Sequence, residues 1–153
     1  MESRKVSVMS PVDAAYLAGL IDGEGTISLT RIHQRQNRQL AVTISSTELA
    51  LLEWTKNTTG VGKITTKRTS SPHHSPGFTY CVANRQALAV LTQVHPYLRS
   101  YKSLRSRLVI ENYLKLTPRN GKYTAMLLEA RRTFEQLFSA ISIRGRANEL
   151  QRS

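Results

Sequence analysis

The run Leu17-Ala18-Gly19-Leu20-Ile21 is apolar throughout and passes directly into Asp22-Gly23-Glu24-Gly25, where two acids are set between glycines. Upstream, Ser10 offers a hydroxyl N-cap, Pro11 suits the first helical position and Asp13 the first turn, so the pattern predicts a helix from Ser10-Pro11 to Gly23. Beyond it the period drops to two. Ile27 and Leu29 alternate with Thr26, Ser28 and Thr30 in a strand over residues 26–35. Leu40, Val42 and Ile44 alternate with Ala41, Thr43 and Ser45 in its return over 39–45, making a half-buried hairpin. The tip, His33 to Gln39, is wholly polar or basic.

A second helix is expected next, capped by Ser45, Ser46 or Thr47, with Ser45 and Glu48 at capping-box spacing and Leu49, Leu52 and Trp54 on its apolar side. Gly60-Val61-Gly62 turns the chain into a second hairpin, residues 63–68 and 77–83, across a loop of Ser, Pro and His. Asn84 is placed to cap a third helix with Ala87, Leu88, Leu91 and Val94 on one face and Pro96 at its limit. Residues 100–116 predict a fourth that buries Leu104 and Leu108, carries Lys102, Arg105 and Arg107, and stops at Thr117-Pro118. The longest helical pattern runs from Tyr123 to Ile141, with Met126, Leu127, Ala130, Phe134, Leu137 and Phe138 between them in a core stripe. The sequence divides into a loose arm (1–9), one α+β domain (10–142) and a basic tail (143–153).

Composition narrows the partner. The 153 residues carry a formal charge of +12 with 40% apolar residues, enough for one packed domain with a field suited to a polyanion. No Asp or Glu occurs between Gly25 and Thr47, nor between Trp54 and Ile110, and those gaps mark the expected phosphate-facing surface. A ribosomal-type RNA binder would share the charge. The single cysteine, Cys81, excludes an internal disulfide and sits in an alternating apolar stretch, so core packing is its expected role in a reducing compartment, organellar or prokaryotic. No apolar run approaches 18 residues, so no membrane partner is expected.

Three places carry candidate chemistry. A carboxylate at Glu24, on the C-terminal end of a helix, is repelled by the free carbonyls and negative pole there, and a divalent cation would reverse that penalty. Carboxylate, carbonyl and water are the oxygen ligands of hard Mg²⁺. On the first hairpin, Thr26, Ser28, Thr30, Arg31, His33, Gln34, Arg35, Arg38, Gln39, Thr43 and Ser45 are candidates for nucleic-acid contact, since Arg and Gln pair bidentately with guanine and adenine edges and a two-stranded ribbon fits the major groove. On the second, Thr65, Lys67, Arg68, Phe78 and Tyr80 are assigned to the same face, although aromatics at that spacing serve a core equally well. Adjacent His73 and His74, without a third ligand, point to solvent or phosphate before metal.

The nonapeptide Leu17 to Gly25 resembles the motif of the LAGLIDADG homing endonucleases, matching its leading L-A-G-L-I-D and then reading G-E-G, with Glu24 keeping a carboxylate at the acidic position. The resemblance implies an αββαββα core with a saddle-shaped antiparallel four-stranded sheet and C-terminal helices. It also implies a homodimer, because one copy of the motif is present, paired through the small residues Ala14, Ala15, Ala18 and Gly19 with Asp22. Glu24 and the Gly23 carbonyl would then hold Mg²⁺ (or Mn²⁺) beside the scissile phosphates of a long pseudo-palindromic double-stranded DNA, with no small-molecule substrate. Lys102 matches the family's basic residue near the attacking water, and a lysine contacting phosphate from a helix surface fits the same position. The family's polar residue for ordering water falls at Ser46 or Glu48, where no glutamine is present. An intron maturase that binds RNA, or a DNA-binding module that does not cut, would use the same scaffold.

Overall fold

A computed structural model describes residues 5–31, 33–34, 37–67 and 76–143, with Lys67 described in its backbone alone. Arg35, Arg68, His73, His74 and the tail beyond residue 143 lie outside the described residues. The chain forms two compact units, Met1–Leu98 and Arg99–Ser153.

The first unit holds α1 (Pro11–Glu24), β1 (Gly25–Thr30), β2 (Gln39–Ser46), α2 (Leu49–Thr59), β3 (Lys63–Lys67), β4 (Gly77–Ala83), α3 (Asn84–Val94) and a 3-10 turn, His95–Tyr97. The strands make one antiparallel open sheet in the order β1-β2-β4-β3, an α+β arrangement with both hairpins where the alternation placed them. Paired residues share a face. On the inner face Ile27 pairs with Val42, Leu29 with Leu40, Val42 with Val82, and Ile44 with Tyr80. Helices α1, α2 and α3 lie against the sheet and bury Leu17, Ile21, Leu52, Ala87 and Leu91.

Local departures from the sequence pattern have identifiable causes. The Ser10 Oγ does accept from the Asp13 N–H at 3.1 Å, as the N-cap chemistry requires, but α1 continues through Gly23 to include Glu24. Strand β1 ends at Thr30, short of residue 35. Helix α2 begins after Glu48 with no side-chain cap, because Ser45 Oγ bonds Thr79 Oγ1 across the sheet at 3.0 Å while Ser46 Oγ accepts from the Glu48 N–H. Asn84 is the first residue of α3 rather than its cap. It adopts φ 55°, which asparagine tolerates, and its amide donates to Gln39 Oε1. The arm is not loose at its base. Ser7 N–H donates to the Thr59 carbonyl at 2.8 Å and Met9 N–H to Gln93 Oε1 at 2.7 Å, satisfying the open end of α2 and burying Met9.

The second unit contains α4 (Lys102–Asn112) and α5 (Ala125–Ala140). Its buried positions correct the expected stripes. On α4 the buried face is Lys102, Ser106 and Val109, continued by Tyr113 beyond the helix, while Leu104 is 43% exposed and Leu108 half-buried. A lysine can bury its aliphatic stem, so counting Lys102 as polar rotated the predicted face. On α5, Phe134 and Phe138 are buried with Arg131, whereas Met126, Ala130 and Leu137 are exposed. Arg131 occupies the place given to apolar side chains, donating from Nη1 to the Leu116 carbonyl and to Thr117 Oγ1, each at 2.7 Å. Among the described residues, no helix is long and apolar enough to cross a membrane.

Candidate functional site

Glu24 is the last residue of α1, and the strand starts at the next position. The junction is tight. Gly25 N–H donates to the Ile21 carbonyl and closes the helix, and a Cβ at Gly25 would stand 2.8 Å from the Ile21 Cα, so only glycine fits. The final glycine of the nonapeptide therefore lets an exposed carboxylate sit at a helix end with a strand leaving immediately behind it. Helical carbonyls at that end lack intrahelical partners. Glu24 and the Gly23 carbonyl are accordingly hard oxygen donors at the negative pole of α1, a donor type that fits Mg²⁺. Among the described residues no group of three or more His, Cys, Asp or Glu side chains gathers to hold a metal.

From this junction the outer face of the sheet extends. On β1 it carries Thr26, Ser28 and Thr30; on β2, Gln39, Ala41, Thr43 and Ser45. On β4 it carries Thr79, Cys81 and Ala83, and on β3 Lys63 and Thr65, with Lys67 at the same register parity. No carboxylate occurs among these positions. The described first-hairpin candidates from Thr26 to Ser45 thus share one acid-free face or its rim. At the rim Arg31 Nη1 donates to the Gln34 carbonyl at 3.2 Å, Arg38 Nη1 to the Leu29 carbonyl at 3.4 Å, and His33 is exposed.

The second hairpin needs a correction. Thr65 pairs with Thr79 and Lys67 with Gly77, while Phe78 pairs with Ser46 and Tyr80 with Ile64 and Ile44. Phe78 and Tyr80 therefore lie on the face opposite to Thr65. Tyr80 is 1% exposed, its hydroxyl donating to the Val61 carbonyl at 2.9 Å and lying 3.0 Å from Thr59 Oγ1, so it cannot reach a ligand. Burial pushes its phenol pKa above the ordinary value, against a smaller lowering by the Thr59 hydrogen bond. Cys81, expected in the core, is half-buried on the outer face. The residues missed on that face are Lys63, Ala41, Thr79, Cys81 and Ala83. A usable signal was present, since Val82 shares the parity of Tyr80 and alternates with Cys81.

The dimer candidates separate as well. Ala14 is 4% and Ala18 0% exposed, packed within this chain's own core, and Asp22 is half-buried. Ala15 and Gly19 are exposed, and they fall on an outward stripe with Val12, Tyr16 and Gly23. A Cβ at Gly19 or Gly23 would meet nothing within 4 Å. Lys102 belongs to the second unit and is 7% exposed; its ammonium lies 5.9 Å from the Tyr101 ring centroid.

The fold these elements define is that of the LAGLIDADG homing endonucleases. The homing endonuclease I-CvuI, solved in complex with its target in the presence of calcium, superposes with a TM-score of 0.71 at 18% identity over 87% of this chain and 83% of that one. The same enzyme was also solved on uncleaved DNA in the presence of magnesium. The archaeal intron-encoded homing endonuclease I-Vdi141I, complexed with DNA, gives a TM-score of 0.64 at 18% identity, covering 88% of this chain and 86% of that one. The meganuclease I-SmaMI, bound to uncleaveable DNA, matches with a TM-score of 0.58 at 19% identity, but this chain spans 45% of its length. No family model and no curated protein matches the sequence.

Proposed function

We propose that this chain is a subunit of a LAGLIDADG homing endonuclease, which binds a long pseudo-palindromic duplex as a homodimer and makes a staggered double-strand cut by metal-dependent phosphodiester hydrolysis. The observation that carries this reading is the exposed Glu24 carboxylate at the end of α1, beside an acid-free polar sheet face on a chain of charge +12. A cut in both strands requires two such carboxylates. The stripe Val12, Ala15, Tyr16, Gly19 and Gly23 gives a second copy a surface on which to bring its own Glu24 alongside.

Glu24 and the Gly23 carbonyl would hold Mg²⁺ or Mn²⁺, with water, phosphate and the partner's acid completing the shell. Such an ion neutralises charge developing on the phosphate and lowers the pKa of bound water. The protein's own residues do the rest. Thr26, Ser28, Thr30, Thr43 and Ser45 face the groove; Arg31, His33, Gln34, Arg35, Arg38 and Gln39 reach bases or phosphates from the hairpin tip; Lys63, Thr65, Lys67 and Arg68 hold the opposite side. Lys102 orients the attacking water or contacts phosphate. Of the two candidates for ordering water, Ser46 accepts from the Glu48 N–H and keeps its own O–H to donate, and Glu48 is exposed.

The test is incubation of the purified protein with its insertion-site duplex and Mg²⁺, beside Glu24→Gln. Staggered cuts by the unsubstituted protein, and binding without cutting by the variant, support the reading. Persistent cleavage by Glu24→Gln refutes the metal assignment. DNA binding with no cutting by either protein shows a non-cleaving module, and selective RNA binding a maturase. Affinity should fall steeply with salt, because neutralising phosphates releases counterions.

A further inference from the structure

The outer face of the sheet is not uniformly polar. Apart from Thr43, its hydroxyls lie on β1 and toward the end where Ser45 and Thr79 bond each other, and its fixed charge lies on β3. Between them, on the two central strands, Ala41 pairs with Ala83 and Thr43 with Cys81. Ala41 is the floor of this patch, 6% exposed, with Thr43, Cys81 and Ala83 half-buried around it. Ser28 and Thr26 flank it on β1, and Lys63 stands beside Cys81 on β3.

The patch offers methyl groups, the Cys81 thiol and the Thr43 hydroxyl, and no N–H donor from a side chain. It therefore cannot make the bidentate contacts that read guanine or adenine. The feature of a base edge it does match is the C5-methyl of thymine, the one apolar group displayed in the major groove. Charge complementarity keeps the occupant a nucleic acid, since the face bears no carboxylate and Lys63 borders it.

Resting on the reading that this face meets duplex DNA, we infer that Thr43, Cys81 and Ala83, set over the buried Ala41, are specificity-determining residues that select thymine by its methyl group in each half-site. The charged and amide side chains at the hairpin tip and on β3 then read or position what lies on either side. Each half-site has a thymine-dependent segment set between segments tolerant of purines.

The experiment begins with full-length unsubstituted protein and a randomised duplex pool, from which the preferred half-site is selected. Each thymine in that site is then replaced singly by deoxyuridine, which keeps base pairing and removes only the methyl. The expected result is one or two positions per half-site where affinity drops about fourfold, the worth of one buried methyl, and where 5-methylcytosine is accepted better than cytosine. Cys81→Arg is expected to change the preferred base at one of those positions from thymine to guanine, while a merely structural role would weaken all sites alike. Specific binding with a flat deoxyuridine scan overturns the inference even if Cys81→Arg fails to fold. Failure of the unsubstituted protein to enrich any duplex overturns the DNA-binding reading itself, a different outcome from a flat scan.

Discussion

Gly25 lies so close over Ile21 that a side-chain carbon on it would sit 2.8 Å from the Ile21 Cα and 3.0 Å from its carbonyl oxygen, the same oxygen that accepts the Gly25 N–H. The atoms in the way are backbone, which cannot swing aside. Gly25→Ala should therefore cost about 1–3 kcal/mol through overpacking, and for a chain of this size lower the Tm by roughly 2–10 °C. Thermal unfolding followed by circular dichroism checks it. An unchanged Tm would mean that the α1–β1 junction is less constrained than this contact implies.

Tyr80 closes a buried hydrogen-bond cluster with Thr59 and Val61, and its ring leaves no space beside Gly62, where a Cβ would fall 2.6 Å from the ring Cζ. Tyr80→Phe removes the hydroxyl from two partners and should destabilise by about 1–2 kcal/mol at neutral pH. The same phenol predicts an alkaline effect. Burial raises its pKa in the folded state above the ordinary 10.0, so the unfolded chain loses its proton first. With more protons bound to the folded state, stability falls as pH rises. The contribution is intact below pH 10.0 and is lost between there and the folded-state value. Denaturant titrations from pH 8 upward should show the loss in the unsubstituted protein and a smaller one in Tyr80→Phe.

Arg131 is 2% exposed and organises the second unit, reaching Leu116 and Thr117 through Nη1 and standing 3.6 Å from Glu135 across one helical turn. Its guanidinium also lies 5.6 Å from the Tyr113 ring centroid and 5.9 Å from that of Tyr123. Arg131→Ala leaves acceptors buried and a carboxylate without its cation, so a cost of about 2–4 kcal/mol is expected. Arg131→Lys should recover little of it, because an ammonium lacks the planar fork that serves both acceptors. Amide hydrogen exchange across residues 116–138 would locate the loss. Protection equal to that of the unsubstituted protein would show the segment to be held by other contacts.

Gly19 offers a separate handle on assembly. A Cβ there meets nothing within 4 Å in a single copy, and the position is exposed, so Gly19→Phe should leave the secondary structure of the monomer unchanged and its Tm no lower. If copies pair through the exposed side of α1, the same substitution converts a dimer to a monomer in sedimentation or light scattering. A Gly19→Phe protein that remains dimeric would place the interface elsewhere.

Local chemistry made much of the fold readable. Ser10, Pro11 and Asp13 announce α1, strict alternation places β1 and β2, and Thr117-Pro118 marks the break before α5. The place of Glu24 at the end of α1 was legible too, because the apolar run stops where Gly23 and Gly25 flank it. Side-chain assignments were less legible where one residue type serves two environments. Tyr80 and Phe78 suit a base-stacking face or a core, and Lys102 and Arg131 look solvent-bound until their stems and donors find buried partners.

Sequence alone determined the order of the helices and strands and that Glu24 stands at a helix end, since both follow from neighbours within a few residues, and composition alone made the chain basic. Only the tertiary structure decided which parity of β3 faces outward and that Ala14 and Ala18 are sealed in the core while Ala15 and Gly19 are open. Those outcomes depend on register between strands distant in sequence and on which helices cover the sheet. A slip of one residue in that pairing exchanges the two faces, and what opposes it is the burial of one face under the helices.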